Sequence, residues 1–276
     1  MNILITGKDG FIAKELIDYF ERDGGHNVVA LNRYDLPLLD SEKVDQWFEW
    51  NVGKIDVVIH TATTGGSRLN KDGVGVFFNN IAMFHNILRN VRRYNMLLFN
   101  LTSGAEEFQH ESMDNPYGAS KSAITSIINT YEKDIINLKI WNCFGKYGLP
   151  TRFIEGNIEK YINGKDIVIF EDREFDFFYS EDLYKIICYF IGEYKNFSVD
   201  TETVNCVYSK NQKLTGVAKI INNLEDKKVN VDLRCNKIGE KYCASFPLSV
   251  EGKFKFIGLI EGIKRVYKYR KCKCLI

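Results

Sequence analysis

Tyr117 and Lys121 stand four residues apart in Tyr117-Gly118-Ala119-Ser120-Lys121, a spacing that puts both side chains on one helical face. A phenol with its ordinary pKa of about 10 is a poor proton-transfer group at neutral pH. An ammonium within a few ångströms favours the phenolate and lowers that value, which makes the pair a candidate acid–base couple. Upstream, Thr102-Ser103 closes the stretch that begins Met96-Leu97-Leu98-Phe99. Both hydroxyls are candidates to touch a substrate oxygen, and Ser103 is the candidate to polarise it. By itself Tyr-x-x-x-Lys is a common helical spacing, and a solvent-facing pair is its default reading. Its weight comes from what precedes it.

Thr6-Gly7-Lys8-Asp9-Gly10-Phe11-Ile12-Ala13 lies between an apolar run, Ile3-Leu4-Ile5, and a helical pattern from Phe11 to Phe20. Gly7 and Gly10 let the backbone turn tightly and approach a pyrophosphate, while the helix start at Phe11 and Ile12 supplies unpaired N–H groups and a positive dipole. Small Ala13 lets helix and strand pack closely. This loop, with Asp9 inside it, reads as a dinucleotide site. The second strand ends Leu31-Asn32-Arg33, where a carboxylate would accept hydrogen bonds from a ribose 2′-hydroxyl. None is present, and the Arg33 guanidinium matches a 2′-phosphate, which favours NADP(H). Asp40 either meets the adenine edge or caps the next helix. Lys121 can hold the nicotinamide ribose as well as tune Tyr117.

These groups need a scaffold, and the chain alternates strand and helix to provide one. Strands are expected at Ile3–Ile5, Val28–Leu31, Val57–Ile59, Met96–Phe99 and Leu138–Trp141. Between them come helices at Phe11–Phe20, after a Ser41 cap, at Val76–Arg93 and at Tyr117–Ile135. Apolar strands without strict alternation are buried on both faces, as in a parallel sheet between helical layers. The expected fold class is α/β, a doubly wound parallel Rossmann sheet with a smaller mixed α/β lobe. The rhythm breaks after Gly145-Lys146-Tyr147-Gly148-Leu149-Pro150. We therefore expect a dinucleotide-binding domain over 1–146, with a returning segment about 177–207, and a substrate-binding lobe over 147–176 and 208–276.

The chain has 276 residues, with 37 Lys and Arg against 36 Asp and Glu. That balance gives no electrostatic footprint for nucleic acid and no polybasic face for a membrane. No apolar run is long enough to span a bilayer, and Met1-Asn2-Ile3-Leu4-Ile5-Thr6-Gly7 reads as strand and turn, so a cytoplasmic location is expected. The cysteines number seven, scattered and odd in count, and read as free thiols in a reducing compartment, Cys272 and Cys274 included. His26, His60, His85 and His110 form no spaced pair, so no metal site is expected.

In this order, the glycine loop, strand-end serine and Tyr117/Lys121 pair resemble the extended short-chain dehydrogenase/reductase superfamily, in its branch acting on nucleotide-linked sugars. His60-Thr61-Ala62, Asn80, Asn142-Cys143-Phe144-Gly145, Phe177-Phe178-Tyr179-Ser180-Glu181-Asp182 and Glu261-Gly262-Ile263 add to the likeness. The stretch Asn32 to Ser41 is similar to nucleotide-sugar 4-ketoreductases of the GDP-fucose synthase type. The resemblance implies Thr61, Ala62, Asn80 and Asn142 on the cofactor side, with Asn80 helping to hold the lysine. It also implies a homodimer, whose helical faces would carry Phe84, Ile87, Ile124 and Ile127.

Departures narrow the expectation. The Asp-Glu pair that follows the hydroxyl residue in the family's dehydratases is Gly104-Ala105 here. The cysteine of the GDP-fucose synthase epimerisation pair is Ala105, and no histidine follows His110. Glu106 and Glu107 read as an exposed acidic loop. Only 13 residues separate Ser103 from Tyr117, a short pocket wall for this branch. Phe175 stands where an arginine commonly precedes Asp176-Phe177, leaving Arg152 and Arg173 as candidates for a diphosphate. The expected activity is NADPH-dependent reduction of a nucleotide-linked 4-keto-6-deoxy sugar. Alternatives are a 4-epimerase with tightly bound NAD, a reductase of a non-nucleotide carbonyl, and a binding module that senses NADP(H).

Overall fold

The computed structural model describes residues 1–67, 70–111, 115–196, 198–235, 239–246, 252–253 and 255–273, with residues 108–111 as backbone only. Two compact units are present, Met1–Ile140 with Lys185–Val204 and Trp141–Tyr184 with Asn205–Ile276. The elements begin β1 (Asn2–Thr6), α1 (Phe11–Asp23), β2 (Asn27–Leu31), α2 (Ser41–Trp50), β3 (Val57–His60) and α3 (Gly75–Arg93). They continue with β4 (Leu97–Ser103), a 3-10 turn (Gly104–Glu111), α4 (Pro116–Ile128), β5 (Ile135–Ile140), β6 (Asn142–Phe144) and α5 (Phe153–Ile162). After these come β7 (Ile167–Ile169), β8 (Glu174–Phe175), β9 (Phe177–Tyr179), α6 (Ser180–Tyr194) and β10 (Glu202–Cys206). The last are β11 (Gln212–Lys213), α7 (Leu214–Asn222), β12 (Val231–Leu233) and α8 (Gly258–Lys273).

The first unit carries a six-stranded sheet in the order β10-β5-β4-β3-β1-β2, and β1 to β5 pair in parallel. This is the α/β architecture that the strand–helix alternation requires. Ile3–Ile5, Val57–Ile59 and Leu97–Phe99 are buried on both faces, which is why those strands read as unbroken apolar runs. On one side, Val44 and Phe48 of α2, Phe84, Ile87 and Val91 of α3, and Ile124 and Ile128 of α4 pack with Leu4, Val58 and Leu98. Phe84, Ile87 and Ile124 therefore face their own sheet rather than an open dimer surface, and Ile127 packs against the same cluster.

Two local expectations are corrected. The helix expected to run to Ile135 stops at Ile128, and Ile135–Asn137 are the buried first half of β5. Apolar Ile127-Ile128 and Ile135-Ile136 fit either period, and a long-range contact decides between them. Asp134 adopts φ 66°, and its carboxylate accepts from Ser198 Oγ at 2.7 Å and Val199 N at 3.0 Å, which turns the chain into the sheet. The cap of α2 is Asp40 rather than Ser41: its carboxylate accepts from Lys43 N at 3.1 Å.

The second unit packs α5, α7 and α8 around Phe144, Ile158, Tyr161, Ile167, Phe177, Val217, Ile263 and Val266. Short strands pair as β6 with β9, β7 with β12 and β8 with β11. Asp182, in the first turn of α6, is fully buried. Its carboxylate accepts from Tyr208 Oη at 2.6 Å, Ile257 N at 2.8 Å and Gly258 N at 2.9 Å. One side chain thus ties the start of α8 to the segment after β10. Among the described residues no helix is long and apolar enough to cross a membrane.

Asp182→Ala leaves three donors without their acceptor. Urea denaturation of this variant is expected to show a loss of about 2–4 kcal/mol in the unfolding free energy, and a loss below ~0.5 kcal/mol would contradict the clamp.

Candidate active site

Strand order reverses between β1 and β3, and open α/β sheets bind ligands beyond the strand ends at such a point. Thr6 is level with Leu31 and His60 across the sheet, so the loops after β1, β2 and β3 leave from one edge. Gly7 N and Lys8 N both donate to Leu31 O, at 2.8 and 3.2 Å. Gly7 adopts φ +74°, and a Cβ there would lie 2.9 Å from Ala62 Cα, so only glycine fits. Gly10, the residue before α1, places no side chain over the helix start, and a helix start is a favourable place for an anion.

This edge opens into a cleft of about 690 Å³ lined by Gly7, Asp9, Gly10, Asn32, Arg33, Tyr34, Leu36, Thr61, Ala62, Thr64 and others, a volume ordinary for a cofactor. At its β2 end, Lys8 pairs with Asp35 at 2.5 Å, and Asn32 Nδ2 donates to Asp9 at 2.9 Å. Asn32 Oδ1 accepts from Tyr34 N at 2.9 Å and Asp35 N at 3.2 Å, forming a side-chain turn. The Arg33 guanidinium lies 5.7 Å from the Tyr34 ring centre and has no carboxylate partner among the described residues. Phe11 and Ile12 open α1. The Asp40 carboxylate is occupied as a cap and does not line the cleft. A cradle only glycine can form, an uncapped helix start and an available guanidinium fit a dinucleotide.

The candidate acid–base pair sits on α4. Asn115 caps that helix, accepting from Gly118 N at 2.9 Å, and Pro116 opens it. The Tyr117 ring lies against Gly66: a Cβ on that residue, at φ +72°, would come 3.0 Å from the ring. Lys121 is only 5% exposed; its Nζ donates to Leu101 O at 2.8 Å and stands 5.6 Å from the Tyr117 ring centre. Burial pushes the ammonium down to about 8, and the Glu106 carboxylate opposes that shift. His60 is buried behind it with Nδ1 2.9 Å from Thr6 Oγ1; burial, then the Lys121 charge, hold its imidazole down at about 3, so it stays neutral.

Ser103 ends β4, three residues beyond the level of His60, or about 10 Å along the strand. Its Oγ accepts from Ala105 N at 3.2 Å, which leaves the hydroxyl hydrogen available to donate. Asn80 does not reach the lysine directly. Its Oδ1 accepts from Thr64 N at 2.8 Å, and its Nδ2 donates to Ser120 Oγ at 3.0 Å, so it ties the loop after β3 to the residue preceding Lys121.

The other candidates have these surroundings. Thr102 points away from Ser103, as strand alternation dictates, and its hydroxyl donates to Glu106 Oε2 at 2.7 Å. Glu106 is not part of an exposed acidic loop: it is buried and pairs with Lys139 at 2.5 Å. Asn142, Arg152 and Arg173 belong to the second unit. There Asn142 Nδ2 donates to Asp176 O at 3.2 Å, Arg152 Nη1 donates to Cys143 O at 3.2 Å, and Arg173 is gripped by Glu171. The side chain of His110 and all of Cys274 lie outside the described residues. Sequence reasoning passed over Lys8, Asp35, Thr64 and Gly66. The Gly65-Gly66 doublet after a strand was the available signal.

Fold and site together define a dinucleotide-binding enzyme of the short-chain dehydrogenase/reductase type. Residues 3–206 match the NAD dependent epimerase/dehydratase family, and the chain belongs to that family. It is thereby an oxidoreductase-type protein that uses a nicotinamide dinucleotide. Among solved structures it is similar to GDP-mannoheptose C4 reductase from Campylobacter jejuni with NADP bound, at 18% identity and TM-score 0.78 over 98% of each chain. It is also similar to a GDP-L-fucose synthetase from Naegleria fowleri bound to NADP, at 19% identity and TM-score 0.78 over 97% of this chain and 92% of the other. A Bacillus subtilis relative, the uncharacterized UDP-glucose epimerase YtcB, is 23% identical over 87% of each chain.

Gly7→Ala, which adds a methyl against Ala62 and strains the backbone, is expected to weaken dinucleotide binding at least about tenfold by fluorescence titration. His60 adds a pH signature. The unfolded chain takes up its proton near pH 6.5, whereas the folded imidazole does so at about 3, so its contribution is full above pH ~6.5 and is lost as pH falls toward ~3. Thermal unfolding between pH 7.5 and 4.5 is expected to show this loss as a slope that His60→Asn flattens.

Proposed function

We propose that this protein is an NADPH-dependent reductase of the C4 keto group of a nucleotide-linked 4-keto-6-deoxy sugar. The observation that carries the reading is the buried Lys121 ammonium one helical turn from Tyr117, on the same sheet edge as the Gly7 cradle. Such an ammonium favours negative charge on the phenol oxygen, so Tyr117 can release its proton to a carbonyl oxygen as that oxygen gains charge. The Ser103 hydroxyl donates to the same oxygen and polarises the carbonyl. Lys121 would also hold the nicotinamide ribose, and Gly7, Gly10 and the α1 start would hold the pyrophosphate. The nicotinamide, when bound, supplies the hydride chemistry.

Arg33 supports the phosphorylated cofactor, since among the described residues its planar guanidinium has no carboxylate to satisfy. Gly104 and Ala105 cannot move a proton, which argues against elimination and epimerisation at neighbouring carbons. The similarity to two NADP-bound proteins named for GDP-linked sugars supports the substrate class. One observation favours a second reading, a 4-epimerase that retains NAD: Asp9 lines the cleft beside Asn32, placed to accept from a ribose hydroxyl. The Bacillus relative is named as an epimerase.

A panel of nucleotide-linked 4-keto sugars, followed by loss of the reduced-nicotinamide absorbance, separates the two. The reductase reading expects stoichiometric NADPH consumption. It also expects Tyr117→Phe to lower kcat/KM at least about a hundredfold with NADPH affinity kept. Arg33→Ala should weaken NADPH about tenfold and leave NADH unchanged. Interconversion of 4-epimers without net nicotinamide consumption, or normal turnover by Tyr117→Phe, would overturn it.

A further inference from the structure

Directly behind the candidate pair lies a polar network that the proposed chemistry does not use. Glu106 is 7% exposed, and every oxygen of its carboxylate is engaged. Oε2 accepts from Thr102 Oγ1 at 2.7 Å and from Thr125 Oγ1 at 2.8 Å, and Oε1 meets Lys139 Nζ at 2.5 Å. Those partners come from β4, α4 and β5. Thr125 in turn accepts from Asn137 Nδ2 at 3.0 Å. A buried ion pair is weak evidence for stability, because apolar residues of similar volume commonly do as well. A charged group in this position calls for another reason.

The placement supplies one. Tyr117, Lys121 and Thr125 recur every four residues on α4, forming a single stripe. Lys121 anchors on Leu101 O, the residue before Thr102, and Thr125 and Thr102 both bond Glu106. Lys121 thus lies one helical turn from Thr125, and its anchor Leu101 one residue from Thr102, the two hydroxyls that hold the carboxylate. The turn that carries Glu106 follows directly on Ser103, and Ala105 N donates to the Ser103 hydroxyl oxygen. Against that turn sits the start of α4, so closely that a Cβ on Gly118 would lie 2.6 Å from Ala105 O.

We propose that Glu106 is the positioning residue of this site: it fixes the Ser103 turn against α4 and supplies the buried negative charge that sustains Lys121 as an ammonium beside Tyr117. This inference rests on the roles given above to Tyr117, Lys121 and Ser103. Among the described residues, the titratable groups around Lys121 are His60 on β3, held neutral, Tyr117 on its own helix, and Glu106 on the turn, with Lys139 and Glu107 next to Glu106. Glu106 is the acid whose charge opposes the burial of Lys121. Lys139 keeps Glu107 at 3.0 Å, so Glu106→Gln does not strand it.

The test is a titration of the full-length protein labelled with 15N at lysine side chains, the Lys121 signal being assigned with Lys121→Met. Glu106→Gln is expected to move the Lys121 midpoint down by about one pH unit. Lys139→Gln moves it up, and Glu107→Gln, which removes a carboxylate paired with Lys139, leaves it in place. In turnover, Glu106→Gln lowers kcat about tenfold, the effect of one charge-assisted hydrogen bond, with KM within about twofold. The alkaline limb of kcat/KM shifts to lower pH, because the Tyr117–Lys121 pair gives up its first proton sooner whichever residue loses it. An unmoved Lys121 midpoint in Glu106→Gln, or in Lys139→Gln if the former does not fold, overturns the proposal. If the midpoints move as expected but no carbonyl substrate is reduced, Glu106 keeps its role toward Lys121 and the reductase reading fails instead.

Discussion

Lys121 carries its amine to a point where only 5% of the residue meets solvent, and there desolvation disfavours a positive charge. Much of the first unit is arranged around that fact. A backbone carbonyl of β4 accepts from the amine, the nearby imidazole of His60 is held neutral, and a carboxylate faces it across the network behind β4. Each of these neighbours comes from a different element, so the charge state of one side chain depends on how the whole edge of the sheet is assembled. A lysine lowered to about 8 still carries its charge at neutral pH, and the proposed chemistry needs that charge.

The sheet imposes the second constraint. Because strand order reverses between β1 and β3, the loops leaving those strands diverge and leave a cleft. Its closest backbone approach falls at Gly7 and Ala62. The loop after β3 then passes over Tyr117 at Gly66 and is tied through Asn80 to Ser120. Cofactor cleft and acid–base pair are therefore mechanically linked: the segment that walls one lies on the phenol of the other.

Apolar and polar layers divide the work within the first unit. Leu4, Val58 and Leu98 with the helices above them supply the hydrophobic burial, while Asn100, Asn137, Thr125, Thr102 and Glu106 form a connected polar seam under the strand ends. These hydrogen bonds join β4 to β5, α4 and the turn, while Asn100 Oδ1 is left without a partner among the described residues. In the second unit a different acid, Asp182, does comparable structural work by holding three donors from two segments.

Much of this was written locally in the chain. The runs Ile3–Ile5 and Val57–Ile59, the glycine loop ahead of α1 and the four-residue interval from Tyr117 to Lys121 depend on neighbours a few residues away, so their periodicity fixed sheet, loop and helical face before any folding was considered. Contacts between distant residues were not legible in that way. Whether Ile135 ends a helix or starts a strand was decided by the tie from Asp134 to Ser198 and Val199. Whether Glu106 meets water was decided by Lys139, 33 positions on. Thr102 and Ser103 are adjacent in sequence, yet strand pleating sent one hydroxyl into the protein and left the other at the sheet edge. Which chemical groups this protein owns, and how they are spaced locally, can be read along the chain. Which of them are desolvated together is set by folding, because burial and charge pairing belong to the packed assembly of strands and not to any single segment.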